Sequence, residues 1–258
     1  MDLKPFLIVC PLLFLAGFVD SIGGGGGLIS VPAFLMAGLP PHAAIATNKL
    51  GAFGGLFLST ARFVKNKCVS FRLAIPSVIA AIAGSAIGAH LSLLIDEKMM
   101  SYILLVILPL SAALVMNKKL FHDNGRDIAV LDRRTYITAT VAAFFIGGYD
   151  GFYGPGTGTF LMIIFIRLAK LDTRHAAGGV KVINLSSNLG SLFTALTAGY
   201  VYVGVGLISA VASIAGHYLG AGLAIKNGSK IVRPTVILVL LLLTVKVGSE
   251  LLFPEFWS

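Results

Sequence analysis

Residues 17–32 read GFVDSIGGGGGLISVP, with one acid and five consecutive glycines inside an otherwise apolar segment. Each glycine costs a helix interior about 1 kcal/mol relative to alanine, so a helix entering this run has little reason to continue. Glycine also lets backbone amides approach a ligand closely. The apolar unit around the run covers 5–39, longer than the roughly 20 residues that span a bilayer. The spacing predicts two half-length helices, cut near 20–26.

The surroundings of that break are those of a membrane protein. Hydrophobic residues make up 57% of the chain and charged residues 12%, and the mean hydropathy is +0.92. An average soluble domain carries roughly 25% charged residues. Apolar runs of spanning length alternate with short polar loops, which excludes the roughly 10-residue alternating strands of an outer-membrane barrel. The net charge of +9 does not indicate nucleic acid, because fifteen of the twenty Lys and Arg fall in four short stretches, 62–72, 118–134, 167–174 and 226–233. Such clusters retain loops on the cytoplasmic side. Cys10 and Cys68 have neither disulfide-framework nor metal-site spacing. The apolar run 5–19 lacks a clear cleavage site and leads straight into the glycines, so it reads as mature structure rather than as a signal peptide.

Further along, helices are expected over about 42–61, 73–94 and 99–116. The polar segment 117–134 then divides the chain nearly in half. The second half repeats the order: an apolar unit over 135–168, broken at 147–160 (GGYDGFYGPGTGTF), then helices over about 173–198, 204–225 and 232–247. A shift of 130 positions places Asp20 on Asp150, Gly24 on Gly154 and Gly26 on Gly156; a shift of 132 places Lys49 on Lys181, Gly84 on Gly216 and Gly88 on Gly220. Rare charged residues matching inside apolar segments point to an internal repeat.

The charge map orients the halves. Loops 117–134 and 167–174 are both basic although only the broken unit separates them, so that unit must leave and return on one side. If 5–39 does likewise, each half holds one hairpin and three crossings, an odd number. The expected fold is therefore an all-α polytopic membrane protein of two inverted repeats with about eight hydrophobic segments. It forms one domain over 1–258 (repeat 1, 5–116; linker, 117–134; repeat 2, 135–248), with both termini outside.

Irregular backbone at membrane depth must be buried in protein or line a wet cavity. The second arms start near Gly27 and Thr157, and helix N-termini aimed at the bilayer centre make anion sites. The candidate binding residues are Gly24, Gly25, Gly26, Gly27, Gly154, Gly156 and Thr157 at the breaks, with Asn48, Lys49, Lys181 and Asn188 on the helices that follow. The lysines lie about 10–12 Å along their helices. An intramembrane lysine marks a pathway or a partner, and site and structural ion pair both fit. For Asp20 and Asp150, capping, lysine pairing and proton carriage all remain open. His90 and His217 sit in small-residue helices and read as packing positions; Lys246 and Glu250 read as an interfacial pair. Two membrane aspartates also bring an intramembrane aspartyl protease into view, but the glycine-x-glycine-aspartate motif of such enzymes is absent.

In GFVDSIGGGGGLISVP, PPHAAIATNKL (40–50) and GYDGFYGPGTGTF (148–160) the chain resembles the sulfite exporter TauE/SafE family of bacterial membrane transporters. The resemblance covers nearly the whole chain, and its motifs occur together and in order. It implies a multi-pass plasma-membrane carrier that exports small sulfur-containing anions such as sulfite or organosulfonates. No enzyme activity, cofactor or metal is implied; the partners are the lipid bilayer and a small anion, with proton coupling through Asp20 or Asp150 as one option. An anion channel of the same architecture is the alternative. The sequence indicates no oligomeric state.

Overall fold

The computed structural model describes residues 4–103, 106 and 132–227. The helices expected over 99–116 (beyond its first residues) and 232–247, most of the linker, and the pair Lys246 and Glu250 lie outside the described residues. Eight helices are labelled here: α1 (Lys4–Gly23), α2 (Gly27–Met36), α3 (Pro41–Lys65), α4 (Phe71–Leu93), α5 (Arg133–Phe152), α6 (Thr157–Arg167), α7 (Thr173–Thr197) and α8 (Val203–Asn227). A further helical stretch begins at 97. Among the described residues there is no strand.

Both breaks fall where glycine permits what other residues resist. Gly24 and Gly25 have φ of +76° and +94°, and Gly154 and Gly156 of +97° and +90°. The second arms start at Gly27 and Thr157. The first arms, however, are not half-length. Each of α1 and α5 has 20 residues, about 30 Å, against 10 and 11 in α2 and α6. Asp20 and Asp150 thus remain inside the last turns of the long arms, because their carboxylates find partners there and the helix has no reason to stop before the positive-φ glycines.

Side-chain contacts fix the direction of each element. Thr135 Oγ1, in the first turn of α5, donates to the Ala169 carbonyl just beyond α6 at 3.3 Å, so this unit turns back on itself. Val9 and Leu13 of α1 likewise pack with Phe34 of α2 and with Leu39. One end of the bundle gathers the basic residues: Arg174 donates to the Ile225 carbonyl at 2.7 Å, and the Cys68 carbonyl lies against Gly178. At this end Asp132 caps α5, accepting from Thr135 N at 2.7 Å and Thr135 Oγ1 at 2.8 Å. Those bonds hold its carboxyl below the usual carboxylate range. The other end joins His42 Nε2 to the Ile95 carbonyl at 2.8 Å and Tyr202 N to Thr47 Oγ1 at 3.0 Å. Accordingly α3 runs toward the basic end, and α7, its counterpart in the sequence repeat, runs away from it.

Packing partners exchange in the same way. The long arm α1 packs on α8 and α5 on α4; α3 crosses both α7 and α8, while α4 crosses α7. The repeated glycines make these crossings possible. A Cβ at Gly84 would lie 2.1 Å from the Phe144 carbonyl oxygen, and one at Gly216 would lie 2.0 Å from that of Phe14. Gly88 and Gly220 are blocked in the same manner, by the Gly148 carbonyl and by Ser21 and Phe18. Such close helix contact through small residues is how helices associate when lipid removes the hydrophobic drive.

The polarity distribution is inside-out. Exposed large apolar side chains run along the outer faces of α4 (Phe71, Ile75, Ile79), α5 (Val141, Phe145) and α8 (Leu207, Val211), while Lys49, Lys181, Asn188 and His217 are buried. Among the described residues, two helices, α4 and α8, are by length and composition apolar enough to cross a membrane. The interior polar residues lower the hydropathy of α3 and α7. His90 does not follow its expected packing role, since it is exposed on α4.

Gly84→Val and Gly216→Val should each destabilise the fold by roughly 1–3 kcal/mol or more through overpacking. The check is apparent Tm and monodispersity in detergent; an unchanged Tm in both would contradict the close crossings.

Candidate functional site

The two breaks touch. A Cβ on Gly24 would fall 2.5 Å from the Gly158 backbone, and one on Gly27 would fall 3.1 Å from Pro155 Cα. Next to this contact lies a cavity of about 50 Å³, lined by both breaks and by α1, α3, α7 and α8. It has room for a few water molecules or a small ion.

Each lysine crosses to the aspartate of the other half. Lys49 Nζ lies 3.0 Å from Asp150 Oδ2 and donates to the Asp150 carbonyl at 2.6 Å. Lys181 Nζ lies 2.9 Å from Asp20 Oδ2 and also donates to the Asp20 carbonyl. The Asp150 carbonyl lies at the end of its long arm, where intrahelical donors run out, so the Lys49 ammonium meets both a charge and a backbone acceptor; the Asp20 carbonyl also accepts from Gly24 N at 2.9 Å. The remaining carboxylate oxygens hold the breaks. Asp20 Oδ1 accepts from Gly26 N at 3.2 Å, and Asp150 Oδ1 accepts from Thr157 Oγ1 at 3.0 Å. Ser187 Oγ donates to Asp150 Oδ2 at 2.7 Å, and His217 Nε2 lies 3.3 Å from Asp20 Oδ2.

The pairing changes the charge arithmetic of the sequence reading. There Lys49 and Lys181 supply positive charge to an anion; here two aspartates neutralise them. An anion in the cavity would therefore meet the positive dipole ends of α2 and α6, where the amides of Leu28, Ile29, Ser30, Thr157, Thr159 and Phe160 are already bonded to carbonyls of the breaks, and the side-chain amides of asparagines. Asn48, Asn184 and Asn188 are all buried, and the Oδ1 of each has no hydrogen-bond partner, nor does Thr159 Oγ1. Buried polar atoms are rarely left so. The three carboxamides, one on α3 and two on α7, line the cavity with acceptor oxygens open to water or a ligand's hydrogen.

Of the residues singled out from sequence, Gly25, Gly26, Gly27, Asn48, Lys49, Gly154, Gly156, Thr157, Asn188, Asp20 and Asp150 line the cavity. Two do not. Gly24 serves the contact with Gly158, and Lys181 stands behind Asp20. The lining also includes Ser30, Gly158, Asn184, Ser213 and His217. Asn184, Ser187, Asn188 and Ser191 recur at helical spacing from Lys181, a polar stripe on an otherwise apolar helix that periodicity could have revealed. His217 carries no comparable signal, since its partner comes from α1. On the opposite side, Lys49 and Gly151 also border a second cavity of about 30 Å³ with His42, Ser92, Ser191 and Tyr200.

Removing one member of a buried pair leaves an uncompensated charge, at about 3–5 kcal/mol. Lys181→Met should therefore lower the apparent Tm sharply, and adding Asp20→Asn should recover most of the loss. A double variant no more stable than the single one would contradict the crossed pairing.

Comparison with known proteins bears on what such a cavity is for. The family model described as "Sulfite exporter TauE/SafE" matches residues 9–247. A "Probable membrane transporter protein" of Haemophilus influenzae is 34% identical over 238 residues, covering 90% of each chain. Another, ORF9 of Sinorhizobium sp., is 33% identical over 249 residues, 96% of this chain and 93% of its own length. YfcA of Escherichia coli K12, also named a probable membrane transporter protein, is 32% identical over 246 residues, 92% and 89% of the two chains. No solved structure matches. The family and these relatives carry transporter names and no enzyme names. Each aspartate is held by a lysine rather than sharing a proton with a second carboxylate, so nothing of an aspartyl protease remains. The matched region takes in both breaks, both lysines and both aspartates, and the chain belongs to the sulfite exporter TauE/SafE family of membrane transporters.

Proposed function

We propose that this protein is a secondary transporter that exports small anions of the sulfite or organosulfonate type across the bacterial inner membrane. It works by alternating access around the central cavity. The observation that supports the reading is the cavity itself: helix starts from both breaks and three buried asparagine side chains converge on one space of small-ion size. Its donors suit an oxyanion, which accepts hydrogen bonds on every face, and its charged groups are already paired, so the ion is held weakly enough to leave. The anion class is taken from the family description.

The moving parts in this reading are the two inverted repeats, 5–116 and 135–248, joined by the linker 117–134 as one domain. The opposite directions of α3 and α7 and the exchanged packing partners support it, as does the arrangement of broken helices around a shared central site. The basic end faces the cytoplasm by the positive-inside rule. Rocking of one repeat against the other would open the cavity alternately toward the two ends, with the Lys49–Asp150 pair as the partition between the central cavity and the second one.

Purified protein in liposomes should carry radiolabelled sulfite and sulfoacetate. A trans-side anion should accelerate uptake, as for a carrier; unaccelerated flux far above carrier rates would favour a channel. Asn188→Leu keeps the branching and heavy-atom count of the side chain and removes its carboxamide, whose Oδ1 has no partner, so it should fold and lose most of this transport. Wild-type protein that moves neither anion, or an Asn188→Leu variant with full activity, would refute the site.

A further inference from the structure

We propose that His217 holds the proton that travels with the anion, and that coupling resides at the Asp20 end of the cavity and not at the Asp150 end. The inference rests on the anion-transport reading above and starts from a hydrogen-bond inventory. His217 is buried in α8 with its ring on the cavity wall. Its Nδ1 lies 2.9 Å from the Ser213 carbonyl. A carbonyl oxygen only accepts, so this bond forms when Nδ1 carries a hydrogen; the Ser213 hydroxyl, at 3.3 Å, is a more distant neighbour of the same nitrogen. The other nitrogen, Nε2, faces Asp20 Oδ2 at 3.3 Å, and a carboxylate is again an acceptor. A neutral imidazole has one N–H and cannot serve both. Filling both contacts with a hydrogen takes one further proton, held as imidazolium against carboxylate or on the carboxyl oxygen itself; without it the ring donates from Nε2 and Nδ1 accepts from the Ser213 hydroxyl.

That proton is the one unbalanced charge at the centre. Lys49 and Asp150 cancel, and so do Lys181 and Asp20. With the His217 proton present the centre is singly positive and attracts an anion; without it the centre is neutral. Anion and proton therefore stabilise each other's binding, and the effect is reciprocal by linkage. The proton enters at Nε2 or Oδ2 and leaves from the same position, with no covalent bond made or broken elsewhere.

The other end of the cavity is built without this feature. The repeat counterpart of His217, under the shift of 132, is Ser85, whose hydroxyl donates to the Ile82 carbonyl. Asp150 instead takes its third partner from Ser187, whose counterpart is Gly55. A Cβ at Gly55 would sit 2.3 Å from His217 Nδ1, and one at Gly17 would sit 2.6 Å from it. Glycine clears space for an imidazole at one end, and a hydroxyl that does not titrate serves the other. The charged groups that face His217 are accounted for: α1 brings Asp20, α7 reaches Asp20 with Lys181, and α3 places Lys49 on the same cavity. Arg62, also of α3, packs on Tyr218 and its carbonyl.

Sulfoacetate is the probe, since its charge is constant near neutral pH. Full-length protein is reconstituted with a pH-sensitive dye inside the liposomes. An inward sulfoacetate gradient should acidify the lumen, and in His217→Gln sulfoacetate should bind more weakly, with an affinity that no longer changes with pH, and the sulfoacetate that still moves should carry no proton. Counterflow without acidification in the wild type, or unchanged acidification in His217→Gln, would overturn the coupling; absence of any sulfoacetate counterflow in the wild type would refute the anion reading itself. Should His217→Gln fail to fold, the wild type alone decides. Its sulfoacetate affinity should fall about tenfold per pH unit as pH rises through the loss of one linked proton, and a pH-independent affinity would overturn the proposal.

Discussion

A lysine buried in a membrane protein must have a partner, and a helix broken at membrane depth must have its backbone ends satisfied. Here one interaction answers both demands. Lys49 meets the carboxylate and the terminal carbonyl of Asp150, and Lys181 meets those of Asp20. Each broken unit is thus completed by a helix from the opposite half. The crossed pairs tie the two halves of the chain together and put both breaks at one place. The rest of the centre follows from that meeting: Gly24 against Gly158, Gly27 against Pro155, and the space left between them.

Burying four charges is costly, and it is not by itself a source of stability, since buried pairs often do no better than apolar side chains of the same volume. Stability is supplied by the glycine-mediated crossings of α1 with α8 and α4 with α5, where backbone meets backbone. The paired charges instead give a preorganised polar centre. In the proposed function, with the lysines already committed, an anion would meet the dipole ends of α2 and α6 and a charge set by one proton. A site with two free ammonium groups would hold a small oxyanion tightly; a carrier must also let it go.

Much of this was legible in the residues. The five glycines beside Asp20 located the first break, and GGYDGFYGPGTGTF located the second; the starts of α2 at Gly27 and α6 at Thr157 follow from positive-φ glycines that no helix continues through. The helix expected from about 42 begins at Pro41 as α3, and the pairings of Gly84 with Gly216 and Gly88 with Gly220 reappear as equivalent crossings. The length of the first arms was not legible. A carboxylate in an apolar run looks like a break point until its partner is known, and the partners of Asp20 and Asp150 lie 161 and 101 positions away. The same distance hid the contact of His217 with Asp20, since in ASIAGHYLGAG the histidine is indistinguishable from a packing residue. Which lysine pairs with which aspartate depends on how the halves cross, a property that no local pattern encodes.

The central claim is that the two breaks enclose an anion site. It is tested most directly by locating an anion there. Selenite resembles sulfite in shape and charge and scatters anomalously, so crystals of the protein grown with selenite should show a single strong anomalous peak between Gly27, Thr157 and Asn188. A peak confined to the basic loops, or none at this position under saturating selenite, would contradict the account.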